Sequence, residues 1–370
     1  MTERSYFRNG DGIRGMACLI VLLGHSMSFF HPRLTPTFAG VGKIGVWLFF
    51  VLSAFLLTNQ LIRRGINSAV LKHYAISRFI RIIPLYFIAC VAYFALGSAG
   101  IDTSADLQQA ALMQYGYAHL WTIPVECKFY VVLPAIVAVA LWTQQRLHHR
   151  FGFCLTLTLA VAIAIIFPFY MISSNSIELW PYIPAFLCGS LAALWKSARM
   201  SMPSDRNRWL FNLSMLVVTI ASTNPIRSII FPHTSVNFLM DKFIFFGALF
   251  SIFLVMNINA KGVINKLYGN KPMVLLGKWS YPIYLFHWFI FSKLSKPHLE
   301  SWSWHFIAIF VAIALGGLVH YMIERPILSL RHRIPSRVSA SLADAPVENL
   351  NVIATNARKP ASVGGSFGGN

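Results

Sequence analysis

The first apolar run, GDGIRGMACLIVLLGHSMSFF, holds an arginine at its mouth, Arg14, and a histidine deep inside it, His25. An ionisable side chain in hydrocarbon is costly and marks a functional site by default. On a helix the two return to within about 20° of one face and lie about 16 Å apart along the axis. Imidazole titrates near neutrality in water, so His25 could deprotonate a hydroxyl or carry a group covalently. The alternative reading is a hydrogen-bonded packing histidine. In SRFIRIIPLYF, Arg78 and Arg81 share a helix face. Alone, such a pair only anchors a helix end. With Arg14 it would form a guanidinium cluster suited to phosphates. Glu126, in HLWTIPVECKFYVVLP, opens another apolar run in a chain with only 12 acidic residues. It is expected on the outer side, either solvated at the interface or at work beside His25.

Four further residues could support such a site. Ser53 lies in GVWLFFVLSAFLLT, where it could instead bond its own helix carbonyl. His119 precedes Glu126. His287, in WSYPIYLFHWFIF, has aromatic neighbours suited to an interface belt. Glu324, in YMIERPIL, could do no more than pair with Arg325. The five cysteines (Cys18, Cys90, Cys127, Cys154 and Cys188) include no C-x-x-C pair, so neither a disulfide framework nor a zinc site is expected. No metal or permanently bound cofactor is expected. A Gly-rich phosphate loop, HExxH and GxSxG are all missing, which disfavours a nucleoside triphosphatase and a metalloprotease.

The elements that must position these residues are membrane helices. Of the 370 residues, 56% are hydrophobic and 12% charged, about half the charged share of a soluble domain. Ten apolar runs are read as spans, over about 12–31, 44–62, 80–97, 127–143, 151–172, 180–195, 209–223, 243–258, 279–295 and 303–323. Pro181 and Pro184 make the sixth the weakest. The net charge of +19 invites a nucleic-acid partner, but its placement argues against one. With the N-terminus in the cytoplasm, the inner loops and the two tails hold 23 of the 31 Lys and Arg, and the outer loops six. That is the positive-inside pattern, with both termini cytoplasmic. Residues 1–335 are read as one all-α membrane domain of about ten transmembrane helices. The polar, Gly/Ser/Ala-rich stretch 336–370 is read as a disordered cytoplasmic tail. No cleavable signal and no fused soluble enzyme domain are expected.

Taken together and in order, DGIRGMACLIVLLGH, GVWLFFVLSAFLLT, SRFIRIIPLYF, HLWTIPVECKFYVVLP, LGKWSYPIYLFHW and YMIERP resemble the acyltransferase 3 family of integral membrane acyltransferases, from Asp11 to Pro326. The resemblance implies ten helices. It also implies transfer of an acyl group, commonly acetyl, from cytoplasmic acyl-CoA to a glycan or glycolipid at the outer side of the bacterial inner membrane. By the same resemblance His25 is catalytic and Arg78 and Arg81 bind acyl-CoA; Arg14 and Glu126 match family positions, and with the residue reading above Arg14 is taken as donor-binding and Glu126 as catalytic. Two departures stand out: Glu126 is followed by Cys127 and Lys128 where the family has Gln, and Ala54 replaces a glycine. The residues do not choose between His25 as base and His25 as acyl carrier. Nor do they choose among O-antigen, exopolysaccharide, lipo-oligosaccharide and peptidoglycan acceptors. The competing reading is a transporter or flippase of a lipid-linked sugar, which would have no reason to bind coenzyme A.

Overall fold

The computed structural model describes residues 3–146, 176–197, 204–230 and 243–330. Among them the chain is helices joined by turns and loops, with one isolated β-bridge, Ser98 to Ile101. Nine longer helices carry the architecture. They are α1 (Glu3–Phe30), α2 (Val41–Arg64), α3 (Ser68–Ala95), α4 (Thr122–Arg146), α5 (Ile183–Ser197), α6 (Asp205–Ala221), α7 (Phe243–Asn257), α8 (Lys271–Ser295) and α9 (Trp302–Val319). Polar caps and breakers in the sequence set several of their ends. Asn67 accepts a bond from Val70 N–H to start α3, and Asn270 accepts one from Met273 N–H to start α8. Gly65, at φ 73°, ends α2.

Every predicted span that falls on described residues lies on a helix; the one at 151–172 and the tail 336–370 lie outside them. Among the described residues five helices are long and apolar enough to cross a membrane: Arg8–Phe30, Val41–Arg64, Ser68–Ala95, Thr122–Thr143 and Trp302–Ser329. A sixth follows if Asp205–Ala221 and Asn224–Ile230, bent by 82°, count as one broken span. α5 and α7 are each only 15 residues long. α3 starts twelve residues earlier than the expected third span, because SAVLKHYAISRF continues the helix back to the Asn67 cap and leaves only a short turn after α2. Continuous helix satisfies every backbone group internally, which lipid demands.

α1 packs between α8 and α2; α2 also meets α5, and α8 also meets α9. The α1–α8 seam is closed to backbone contact by small residues. A Cβ on Gly277 would fall 1.7 Å from the Asp11 carbonyl oxygen, and one on Gly15 would fall 2.1 Å from that of Met273. The interior is aromatic, with Phe186 of α5 between Phe129 of α4 (ring centroids 4.0 Å) and Phe50 of α2 (4.5 Å). Ala54 costs no clash, since it faces Gly189 of α5, whose absent Cβ would lie 2.9 Å from the alanine methyl. The exposed side chains of α3, α6 and α9 include Phe79, Phe87, Leu213, Val217, Phe306 and Phe310, an apolar exterior suited to lipid.

The stretch between α3 and α4 was expected outside. Its first half holds the short, largely exposed helix Ser104–Ala111. Its second half turns inward: Leu120, Trp121 and His119 are buried, and α4 starts inside the protein. Three large apolar side chains, Tyr117, Leu120 and Trp121, reward that burial.

Candidate active site

A cleft of about 740 Å³ is walled by α1, α2, α3, α4 and α8. α1 gives Arg14, α3 gives Arg78 and Arg81, α4 gives Glu126 and Tyr130, and α2 gives Ser53 with an apolar stretch of Phe49, Leu56 and Leu57. Three guanidinium groups against one carboxylate leave the lining cationic. Arg14 Nη1 lies 3.4 Å from Asp11 Oδ1, a loose pair that leaves most of its fork available. The Arg78 guanidinium stands 5.9 Å from the Tyr130 ring centroid, and its buried Nε has no partner. Five guanidinium donors in a fixed fork suit the oxygens of a phosphate.

Glu126 belongs to this cleft. Ser53 Oγ donates to its Oε1 at 2.8 Å, and the Tyr130 hydroxyl donates to the same oxygen. The carboxylate is therefore hydrogen-bonded within the cleft, and to no histidine. The inward path of residues 117–121 carries the start of α4 to the arginines instead. Ser53 bonds across helices rather than back to its own. Lys128 leaves Glu126 undisturbed, because it lies on another face of α4 and donates to the Ile177 carbonyl at 2.9 Å.

Behind one wall of the cleft lies a histidine cluster. Thr122 and Tyr284 line the cleft, and Thr122 Oγ1 donates to the Tyr284 hydroxyl at 2.8 Å. That hydroxyl donates to the His119 carbonyl at 2.6 Å, and the Tyr284 ring lies 5.3 Å from that of His119. His25 Nδ1 is 2.8 Å from His287 Nε2, with the rings 5° from parallel. His119 meets His287 edge-on at 4.9 Å, and Trp288 meets His25 edge-on at 5.3 Å. His119 Nε2 donates to the Leu285 carbonyl at 3.2 Å. His287 is fully buried, so its aromatic neighbours are no interface belt. α8 is enclosed by α1, α9 and the inward loop. Among the described residues no group of three or more His, Cys, Asp or Glu has a metal-binding arrangement.

Glu324 pairs with His320 rather than Arg325. A π-turn over His320–Glu324 brings His320 Nδ1 to 2.6 Å from Oε2, while the other carboxylate oxygen is buried without a partner. The sequence reading missed Tyr130, Tyr281, Tyr284, Thr122 and Trp288. Tyr130 was legible, standing one turn after Glu126 on its face. Tyr284 and Trp288 were legible as i, i+4 neighbours, and with His287 they share one side of α8.

A family model described as an acyltransferase domain matches residues 9–322. A peptidoglycan O-acetyltransferase of Listeria monocytogenes is 26% identical over 340 residues, covering 80% of this chain and 51% of its own length. A Staphylococcus aureus protein bearing the name "Putative O-acetyltransferase" is 22% identical over 358 residues, or 87% of this chain and 57% of its own. A Bacillus subtilis protein named "Putative peptidoglycan O-acetyltransferase" is 24% identical over 377 residues, with coverage of 90% and 56%. The chain spans about half the length of these relatives. No solved structure matches the chain.

Proposed function

The chain belongs to the acyltransferase 3 family, and from that membership we propose that it transfers an acyl group, acetyl by the names of its relatives, from cytoplasmic acyl-CoA to a hydroxyl of a surface glycan. The observation that carries this reading is the adjacency of two dissimilar sites: an arginine-lined cleft and, behind Thr122 and Tyr284, a histidine cluster. A cationic cleft suits a polyphosphate donor, and a cluster of imidazoles suits proton transfer.

In this mechanism Arg14, Arg78 and Arg81 hold the phosphates of the donor, and its thioester arm extends toward Tyr284. His25 accepts the proton of the acceptor hydroxyl. The hydroxyl oxygen attacks the thioester carbonyl carbon, the new C–O bond forms and the C–S bond breaks. The departing sulfur takes the proton back from His25, leaving an ester and free coenzyme A. Glu126, held by Ser53 and Tyr130, tempers the charge of the arginines at the donor end. The relatives' names favour peptidoglycan as acceptor; lipopolysaccharide and exopolysaccharide sugars carry the same hydroxyl chemistry.

We place residues 1–335 in the bacterial inner membrane as ten spans, with both termini and the 336–370 tail cytoplasmic. The distribution of basic residues supports that orientation. The test is transfer of radiolabelled acetyl from acetyl-CoA in membranes, with mass spectrometry of the surface glycan from cells with and without the gene. His25→Ala should insert normally and lose activity by about 10²- to 10⁴-fold, the usual contribution of a general base. Normal insertion with near wild-type transfer would sink the mechanism. A glycan moved without release of coenzyme A would favour a transporter.

A further inference from the structure

Three hydrogen bonds decide where the protons sit in the histidine cluster. His287 Nδ1 lies 2.7 Å from the Tyr284 carbonyl oxygen and 3.2 Å from that of Ile283. A carbonyl only accepts, so Nδ1 carries the hydrogen. A neutral imidazole has one N–H, so Nε2 of His287 is an acceptor. His25 Nδ1, 2.8 Å away, must therefore donate to it. That leaves Nε2 of His25 as a bare lone pair.

The opposite arrangement would set a bare Nδ1 of His287 against two carbonyl oxygens in a fully buried place, where unmet acceptors are expensive. Nor does a second proton on His287 find compensation. The titratable groups facing it are His25 from α1, His119 from the loop before α4, and Tyr284 on its own helix, with no carboxylate among them. His119 turns its Nε2 to Leu285, so it offers the pair no hydrogen bond of its own.

The ring of His25 lies against α2. A Cβ on Gly42 would stand 3.0 Å from Nε2 and 3.1 Å from Cδ2. The helices cross at this place: a Cβ on Gly24 of α1 would fall 2.5 Å from the Gly42 nitrogen. Those distances, with 3.8 Å to Cε1, set the Gly42 position over the face of the His25 ring rather than along the Nε2 lone pair.

We infer that His287 is a positioning residue that holds His25 in the Nδ1-protonated form, so that Nε2 takes the acceptor's proton. This rests on the base role proposed for His25. It explains why two histidines share one place: the first does the chemistry and the second sets its tautomer through a main chain that cannot itself change protonation.

The experiment uses the full chain in lipid, with ¹⁵N-labelled histidine and ring-nitrogen NMR, alongside kcat and KM for acetyl-CoA. Wild-type His25 should show a protonated Nδ1 and a bare Nε2. His287→Ala should lose that signature and lower kcat on the order of 10²-fold, the lower end of what a general base contributes, with KM for acetyl-CoA unchanged. His287→Gln presents an amide oxygen where Nε2 stood, so it should recover most of the rate and the tautomer, and it remains informative if the alanine variant fails to fold. A protonated Nε2 on wild-type His25, or wild-type kcat in His287→Ala, overturns the inference. Full activity in His25→Ala is a separate outcome, since it removes the base role itself. An inactive His25→Ala beside a fully active His287→Ala removes only the positioning role.

Discussion

At the scale of single residues, the cleft separates two jobs that charge alone would merge. Arg14, Arg78 and Arg81 face one volume with Glu126, while His25 and His287 form a neighbouring cluster with no acid in it. Arginine matters in the cleft for its shape as much as its charge. Arg81→Lys keeps the cation and removes the planar fork, so it should raise KM for acetyl-CoA about 10-fold, the cost of about one charged hydrogen bond of ~1.5 kcal/mol. Protein yield and thermal unfolding in detergent should stay as they are. Unchanged KM in both Arg78→Lys and Arg81→Lys would reduce the pair to a helix anchor. Arg78 and Arg81 were visible as a pair in the sequence because helical spacing is local. That Glu126 would join them was not, because only the buried course of residues 117–121 decides where α4 begins.

At the scale of elements, the site depends on α1 and α8 meeting backbone to backbone. The two helices carry His25 and His287, whose nitrogens must stay 2.8 Å apart. The seam that holds them is built from Gly15 and Gly277, where any side chain would strike a carbonyl. Gly277→Ala must therefore push the helices apart. It should cost about 3 kcal/mol, the upper end for overpacking, and should abolish transfer. Gly262→Ala makes the contrast. Gly262 has a positive φ of 62° and open space around it, so only backbone strain is added, about 1–2 kcal/mol. Thermal unfolding in detergent orders the two variants, and equal losses would mean the seam is less tight than the geometry requires. Small residues were readable in the sequence, but which of the chain's glycines touch a partner helix is a matter of pairing.

At the scale of the whole molecule, the proposed orientation in the bilayer rests on charge placement. Ser68, the exposed first residue of α3 after the arginine-rich end of α2, should face the cytoplasm; Gln108, in the exposed helix Ser104–Ala111, should face outward. In a background with the native cysteines replaced, a membrane-impermeant thiol reagent should label Gln108→Cys in intact spheroplasts and Ser68→Cys only after permeabilisation. Equal or reversed labelling would reject the ten-span arrangement.

The sequence by itself determined the solvent, the helical class, the segments that become helices and the family, because apolar length, caps and charge placement are local and additive along the chain. His25, Arg14 and the Arg78–Arg81 pair stood out for the same reason: an ionisable group in an apolar run is conspicuous wherever the run goes. Tertiary structure alone decided the partners. Glu126, read either as solvated at the interface or as beside His25, lies with Ser53, Tyr130 and the arginines; Glu324, read as a support residue or a partner of Arg325, pairs with His320; His287, read as a support residue or part of an interface belt, stands buried against His25. Each is a contact between segments far apart in the chain, or a product of a local π-turn, and neither is written in hydrophobic period. Which nitrogen of His25 carries the proton is decided later still, by two main-chain carbonyls of α8 that no side-chain pattern encodes.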